Sequence, residues 1–234
     1  APCTGAYASD VVAALEHVYA SALAGMPIAS VNMSLGGALF TAPCDEEPYK
    51  PAIDNLRSIG VATVVASGNS GIPFAISTPA CISSAVCVGS TDKNDAVSYF
   101  SNGASFLSLL APGEAITSSI PGGIFREESG TSMAAPHVAG AWAVLRQAAP
   151  GASVSQILST LRATGLPIVD DRLFGLFGTT TTPRIRLLRA LAEFVPVTNP
   201  APGISATDPT HGRASGSSLT LTVIGNNFSA FSVV

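Results

Sequence analysis

Two patterns of apolar residues alternate along most of the chain. In the first, apolar residues recur every three or four positions, which is typical of an amphipathic helix. In the second, β-branched and small apolar residues follow one another without interruption, which is typical of a strand covered on both faces. The predicted helices are one capped by Ser9 and ended by Met26 and Pro27, one over 49–59, one that begins near Ser132, and one capped by Ser153; the predicted strands are 28–34, 61–66, 85–90 and 107–111.

The order of these elements predicts a layered α/β fold. Strand, helix and strand follow one another within residues 28–66, which constitutes a βαβ unit with two parallel strands and a right-handed crossover. We therefore expect a mostly parallel central sheet with helices on both faces. Residues 116–120, followed by Pro121-Gly122-Gly123, predict a hairpin that leads to the segment containing Ser132.

Composition and charge exclude two classes of partner. The 234 residues are 47% hydrophobic and 11% charged, with a net charge of −4, so no basic stripe is present for nucleic acid. No uninterrupted apolar run approaches the roughly 20 residues of a membrane span. We therefore expect neither a nucleic-acid partner nor a membrane span.

The four cysteines allow three complete pairings, and the sequence alone does not choose among them. The absence of a Cys-x-x-Cys spacing makes a zinc site improbable. Cys87 lies in an apolar run and is interpreted as a buried thiol. We favour a disulfide between Cys44 and Cys81, because both lie in loop-like surroundings, and Cys3 is left over. Such a bridge would indicate an oxidising, extracellular setting.

The stretch with the strongest chemical signal is GTSMAAPHVAG, residues 130–140. It places Ser132 in the first turn of a buried helix, where the helix dipole favours developing negative charge. Pro136 is compatible with a helix start, because the first amides of a helix have no intrahelical acceptor. The stretch resembles the nucleophile motif of the subtilisin-like serine proteases (the subtilase, or peptidase S8, family). This resemblance implies a serine endopeptidase with a three-layer α/β fold, a polypeptide substrate and secretion.

A second match to the same family is Ala66-Ser67-Gly68-Asn69, directly after a predicted buried strand. Ligands bind beyond the carboxyl ends of the strands in open parallel sheets. The segment resembles the oxyanion-hole segment of the family. The resemblance implies that the side-chain amide of Asn69 and the backbone N–H of Ser132 bind the oxyanion of a tetrahedral intermediate.

The substrate cleft is assigned by resemblance as well. The segment Ser34-Leu35-Gly36 resembles the family strand that hydrogen-bonds the substrate backbone on the acyl side. The family pattern also implies Gly5 as the opposite edge of the cleft, and a cis peptide bond at Thr78-Pro79. The substrate-binding residues assigned in this way are Gly5, Ser34, Leu35, Gly36, Ala66, Ser67, Gly68, Ser77 and Thr131. None of them is charged, so we expect a preference for uncharged side chains before the scissile bond.

The catalytic aspartate and histidine of the family are not found in this chain. In the family both precede the region that resembles residue 1, so we expect the natural chain to be longer and the 234 residues to be inactive alone. His137 lies in the same helix as Ser132, only five residues later, and is interpreted as structural. No cofactor is identified from the residues, and the resemblance implies structural calcium. It also implies a propeptide before this chain and further domains after it.

Composition changes after residue 195. Residues 196–213 are a Pro-rich linker, and residues 218–228 alternate as a strand that ends in a turn. This strand resembles the opening of an immunoglobulin-like module of the type called TIG. We therefore assign residues 1–195 to a partial protease domain and residues 214–234 to the start of a β-sandwich, which normally needs about 100 residues.

Two other functions fit the sequence less well. One is a non-catalytic, protease-like scaffold used for binding or adhesion; the intact Ser132 and Asn69 argue against it. The other is an α/β-hydrolase esterase with Ser132, Asp170 or Asp171, and His211. The nucleophile segment lacks the second glycine that such an enzyme needs.

Overall fold

The computed structural model describes residues 5–172, 178–195, 203–208 and 222–226. The chain divides into two compact units, Ala1–Phe194 and Val195–Val234. The expectations for Cys3, His211 and most of the linker concern residues outside those described.

A sheet of six strands organises the described part of the first unit, in the order β1-β3-β5-β6-β10-β9. The strands up to β10 pair in parallel, and β9 is antiparallel to β10. β1 lies at one edge, with β3 as its neighbour in this sheet. The strands of the unit are β1 Ser30–Met33, β2 Leu39–Phe40, β3 Ala62–Ala66, β4 Ile76–Ser77, β5 Val86–Thr91, β6 Leu109–Pro112, β7 Ile116–Ile120, β8 Ile124–Glu128, β9 Leu166–Asp170 and β10 Thr180–Arg184.

Five helices are described, and they cover both faces of the sheet: α1 Ala8–Leu23, α2 Lys50–Ser58, α3 Thr131–Ala148, α4 Val154–Thr164 and α5 Leu187–Phe194. Successive side chains of a strand point to opposite faces. Accordingly Val64 packs in the cluster with α3, α4 and α5, whereas Val65 packs in the cluster with α1 and α2. Trp142, the single tryptophan of the chain, is fully buried on α3 within the first cluster. The three-layer α/β fold is therefore confirmed.

The helix boundaries follow the expected stripes, with one correction. α1 begins at Ala8 after Tyr7, and no side chain caps it, so the prediction that Ser9 is the cap is wrong. Ser9 lies inside the first turn instead. For α4 the prediction is confirmed: the Ser153 hydroxyl accepts from the Gln156 amide, and the Gln156 side chain accepts from the Ser153 amide. These two reciprocal hydrogen bonds provide acceptors for two amides at the start of α4 that have no acceptor within the helix.

The predicted disulfide and cis peptide are both present. Cys44 and Cys81 form a disulfide with Cα atoms 5.3 Å apart, and Cys87 is a buried free thiol. The Thr78-Pro79 peptide bond is cis. Both features lie near β4, which pairs with β2 next to the loop after β3.

In the second unit, β11 (Gly203–Asp208) pairs antiparallel with β12 (Thr222–Asn226). The register between them shifts between Ile204 and Ala206.

Candidate active site

Ser132 is the second residue of α3, and it is partly exposed. Gly130 precedes the helix in an extended conformation, and its amide donates to the carbonyl oxygen of Gly113 at 2.8 Å. A Cβ at Gly130 would lie 3.2 Å from Asn69 Nδ2. The absence of a side chain at Gly130 therefore allows Asn69 to approach the turn that carries Ser132.

Pro136 lies further into α3 than the first turn, where a proline was predicted to be tolerated. It is the sixth residue of the helix, beyond the first amides that lack an acceptor, so its missing N–H leaves the Ser132 carbonyl without the usual donor. The Ser34 hydroxyl donates to that carbonyl oxygen at 2.8 Å. One hydrogen bond thus replaces the lost helical bond and ties the end of β1 to the turn containing Ser132.

Asn69 follows β3, whose five residues are all buried, and it faces the start of α3. The Thr131 amide and hydroxyl donate to Asn69 Oδ1 at 2.9 Å and 2.8 Å, and the Gly68 amide donates to the Thr131 hydroxyl oxygen at 3.2 Å. A backbone N–H can only donate, so the oxygen of the Asn69 amide must face Thr131. Nδ2 is thereby directed away from Thr131 and towards Gly130.

A cleft of about 310 Å³ lies beside Ser132 and Asn69. The assigned residues that line it are Leu35, Gly36, Ala66, Gly68, Ser77 and Thr131. Gly37 and Ser70 also line it and were not predicted. Ser34 contacts the site through its bond to Ser132, whereas Ser67 is buried behind the cleft and donates to the Asn102 carbonyl oxygen.

Gly5 is not part of the cleft lining; it lies in the segment before α1. A second cavity of about 340 Å³ lies on the other side of Ser132, between β7 and the first turns of α3. In the sequence, only the hairpin predicted over residues 116–123, which leads to the segment containing Ser132, indicates that β7 and α3 are neighbours.

The charge distribution at the site is simple, because none of the described residues that line the cleft carries a charge. His137 Nδ1 lies 2.8 Å from the carbonyl oxygen of Met133, so the imidazole is engaged with its own helix. Within the described residues, no hydrogen bond joins Ser132 Oγ to a histidine. Burial raises the pKa of the Cys87 thiol far above its ordinary value, which leaves that thiol unreactive.

Serine hydrolases that work by acyl transfer place a serine nucleophile beside hydrogen-bond donors of fixed orientation, and the positions of Ser132 and Asn69 are similar to that arrangement. The family model described as "Subtilase family" matches residues 4–180, and the chain belongs to this family. The family assignment argues against the α/β-hydrolase alternative.

Similar proteins agree with this assignment. The chain is 39% identical over 151 residues to Subtilisin BL from Lederbergia lenta, covering 64% of this chain and 53% of that protein. It has the same identity to an alkaline protease from Shouchella clausii, of which it covers 38%. The chain therefore spans about half the length, or less, of these relatives.

Solved structures give the same result for the fold. A protease from Pseudoalteromonas arctica PAMC 21717 superimposes with a TM-score of 0.67 at 28% identity, covering 82% of this chain and 60% of that one. A cold-adapted subtilisin-like serine proteinase superimposes with a TM-score of 0.63 at 32% identity, covering 78% of this chain and 62% of that one.

The helices that the structure describes include none with the length and apolar character of a membrane span.

Proposed function

We propose that the protein containing this chain is a serine endopeptidase that forms an acyl-enzyme on Ser132. The observation that supports this most directly is the orientation of the Asn69 amide. Because Thr131 donates twice to Oδ1, Nδ2 is held towards the turn that carries Ser132. A donor fixed in this way stabilises an oxyanion without reorganising during the reaction.

In the proposed reaction, Ser132 Oγ attacks the scissile carbonyl carbon and gives up its proton to a base. Asn69 Nδ2 and the backbone N–H of Ser132 donate to the resulting oxyanion. The C–N bond then breaks, the amine leaves with the proton, and water releases the acyl group to restore the serine. By family resemblance the base is a histidine oriented by an aspartate, both outside this chain, so the 234 residues alone are expected to be inactive.

The proposed specificity follows from the cleft. Leu35 and Gly36 line one side, Ala66 and Gly68 line another, and Ser77 is proposed to lie near the floor. Because the lining residues that the structure describes are all uncharged, a charged substrate side chain would be buried among them without a partner. We expect apolar or uncharged residues before the scissile bond, and a peptide-library profile dominated by Lys or Arg would contradict this.

The setting of the enzyme is also proposed. Secretion agrees with the Cys44–Cys81 disulfide. Residues 214–234, which include β12, are proposed to begin an immunoglobulin-like module of the TIG type, whereas β11 lies within the segment assigned as linker. A propeptide and further domains are proposed outside this chain. For the structural calcium that the family resemblance implies, no group of three or more His, Cys, Asp or Glu side chains suited to a metal occurs in the described part of the chain.

The test uses the full-length protein and two substitutions. Ser132→Ala should abolish peptide hydrolysis and leave the fold intact. Asn69→Ala should lower kcat by about 10²–10³ with little change in KM, because the oxyanion forms only in the transition state. This magnitude is borrowed from a subtilisin that lost the corresponding donor.

Asn55→Ala is the matched control, because Asn55 is an exposed asparagine on α2. It should leave kcat and KM unchanged. If Asn69→Ala raised KM by as large a factor as it lowered kcat, Asn69 would bind the substrate in the ground state and not only the oxyanion. Hydrolysis that persists in Ser132→Ala would refute the nucleophile assignment.

A further inference from the structure

Asn102 lies outside the motifs named in the sequence, yet its side chain is hydrogen-bonded to the loop that carries Asn69. The residue is 0% exposed. Its Oδ1 accepts from the amides of Ser70 and Ile72 at 2.9 Å and 3.2 Å. Its Nδ2 donates to the Ser67 carbonyl oxygen and to Ser77 Oγ, both at 3.3 Å. One side-chain amide thus bonds to the chain on both sides of Asn69 and to a residue of the cleft lining.

The backbone of Asn102 adds two more bonds to the same loop. Its amide donates to the Gly68 carbonyl oxygen, and its carbonyl oxygen accepts from the Ser67 hydroxyl, both at 2.9 Å. Gly68 has φ of +109°, and a Cβ there would lie 2.3 Å from both Asn102 Nδ2 and Ser77 Oγ. The loop therefore has no room to move towards Asn102 and several bonds that prevent it from moving away.

The segment that carries Asn102 is itself fixed from outside. The Arg172 guanidinium donates to three backbone carbonyl oxygens of this segment, those of Ser98, Tyr99 and Ser101, at 3.2, 3.3 and 2.7 Å. Asp170 holds that guanidinium through two further hydrogen bonds. Arg172 and Asp170 are partly buried, with side chains 20% and 11% exposed, and their hydrogen bonds satisfy one another and the segment, which supports it as a base for the loop.

We propose that Asn102 is a positioning residue, which acts by holding the 67–72 loop so that Asn69 Nδ2 reaches the oxyanion. The inference rests on the proposed function of Asn69. Asn102 does not contact the reacting atoms; its effect passes through Asn69, and loss of its bonds lets the donor drift. Misplacement of a catalytic group by about 1 Å can cost about 10²-fold in rate.

Asn102→Asp is the first variant, because it keeps the acceptor for the Ser70 and Ile72 amides and replaces the Nδ2 donor with a carboxyl oxygen. The new oxygen repels the Ser67 carbonyl oxygen and so disturbs the loop locally. Asn102→Ala is the second variant, since the space it leaves is lined by polar groups that water can satisfy. Ser98→Ala is the control: Ser98 is a buried residue of the same segment whose hydroxyl bonds to Ser90, away from the cleft.

The full-length variants are compared per active site, with the concentration of sites measured by titration with an acylating inhibitor. Titration counts only folded molecules, so partial unfolding does not disturb the comparison. We expect both Asn102 variants to lower kcat by about 10- to 100-fold with KM little changed. Ser98→Ala should lower the melting temperature and leave kcat as it was. Unchanged kcat in the Asn102 variants would overturn the proposal.

A double-mutant cycle separates this inference from the proposed function. If Asn102 acts through Asn69, adding Asn102→Asp to Asn69→Ala should cost less than threefold, because the donor is already gone. If Asn102→Asp lowered kcat by the same factor with and without Asn69→Ala, the inference would be overturned. This would hold even if Asn69→Ala alone lowered kcat as expected for the loss of an oxyanion donor. If Asn69→Ala alone left kcat unchanged, the oxyanion assignment would fail, and the inference would fail with it.

Discussion

The Cys44–Cys81 disulfide should contribute about 4 kcal/mol to stability. It joins residues 37 apart in sequence, and the loop it closes contains α2, β3, Asn69 and β4. In the chain-entropy model, removing the bridge raises the conformational entropy of the unfolded chain by about 2.1 + 1.5R ln n cal/mol/K, where n is the number of residues in the closed loop. With n of 37, this is about 13 cal/mol/K, or about 3.8 kcal/mol at 25 °C. The backbone bond from the Cys44 amide to the Cys81 carbonyl oxygen can persist without the bridge.

The perturbation is the double substitution Cys44→Ala with Cys81→Ala in the full-length protein, made inactive by Ser132→Ala to prevent self-digestion. Urea unfolding followed by circular dichroism should show a free energy of unfolding lower by about 3–4 kcal/mol. A reductant should lower the stability of the parent protein by a similar amount and leave the double variant unaffected.

Cys87→Ala serves as the control, because Cys87 is a buried thiol outside the bridge. It should cost only about 1 kcal/mol, the loss of one small buried group, and the effect of the reductant should remain. A loss below about 1 kcal/mol in the double variant would refute the entropic reasoning. So would a parent protein whose stability does not respond to the reductant.

Three further outcomes are expected. Thr131→Val should lower kcat about tenfold at constant KM, because Asn69 Oδ1 loses one of its two donors, and Thr131→Ser should retain most activity. Desolvation raises the pKa of Asp45, but the hydrogen bonds from Ser83 outweigh it and hold that pKa below its ordinary value. The stability from this contact is present above about pH 4 and is lost as the pH falls through the lowered pKa. The melting temperature of Ser83→Ala should therefore be lower than that of the parent near neutral pH, and the two should be equal in strong acid. A fluorophosphonate probe should label Ser132 in the full-length protein and not in the 234-residue chain alone.

The elements that could be predicted are those with a one-dimensional signal. β3 is a continuous apolar run, and α4 has a stripe with a capping residue, so both follow from local rules. β9 and β10 were missed because each contains a proline, which usually argues against a strand. Pro167 is tolerated on the edge strand β9, and Pro183 on β10 because the pairing with β6 is confined to Arg184.

At the site, motifs were sufficient to find the residues but not their hydrogen bonds. Ser132 and Asn69 lie in recognisable stretches, whereas the orientation of the Asn69 amide depends on Thr131, 62 residues away. The role of Asn102 had no sequence signal, because it arises from tertiary contacts with Ser67 to Ile72. The donor that replaces the amide missing at Pro136 is the Ser34 hydroxyl, which follows β1 and lies 98 residues before Ser132 in the sequence.

The burial of Trp142 gives this chain a built-in optical reporter. It is the single indole of the chain, and it lies ten residues after Ser132 on α3, about 15 Å along the helix axis. Its Nε1 has no hydrogen-bond partner among the described residues, and apolar side chains of the sheet, α4 and α5 surround it. Its emission should therefore be blue-shifted in the folded state and move to longer wavelength when water reaches α3. Fluorescence can thus follow the packing of the helix that carries Ser132 even in variants that cannot hydrolyse anything.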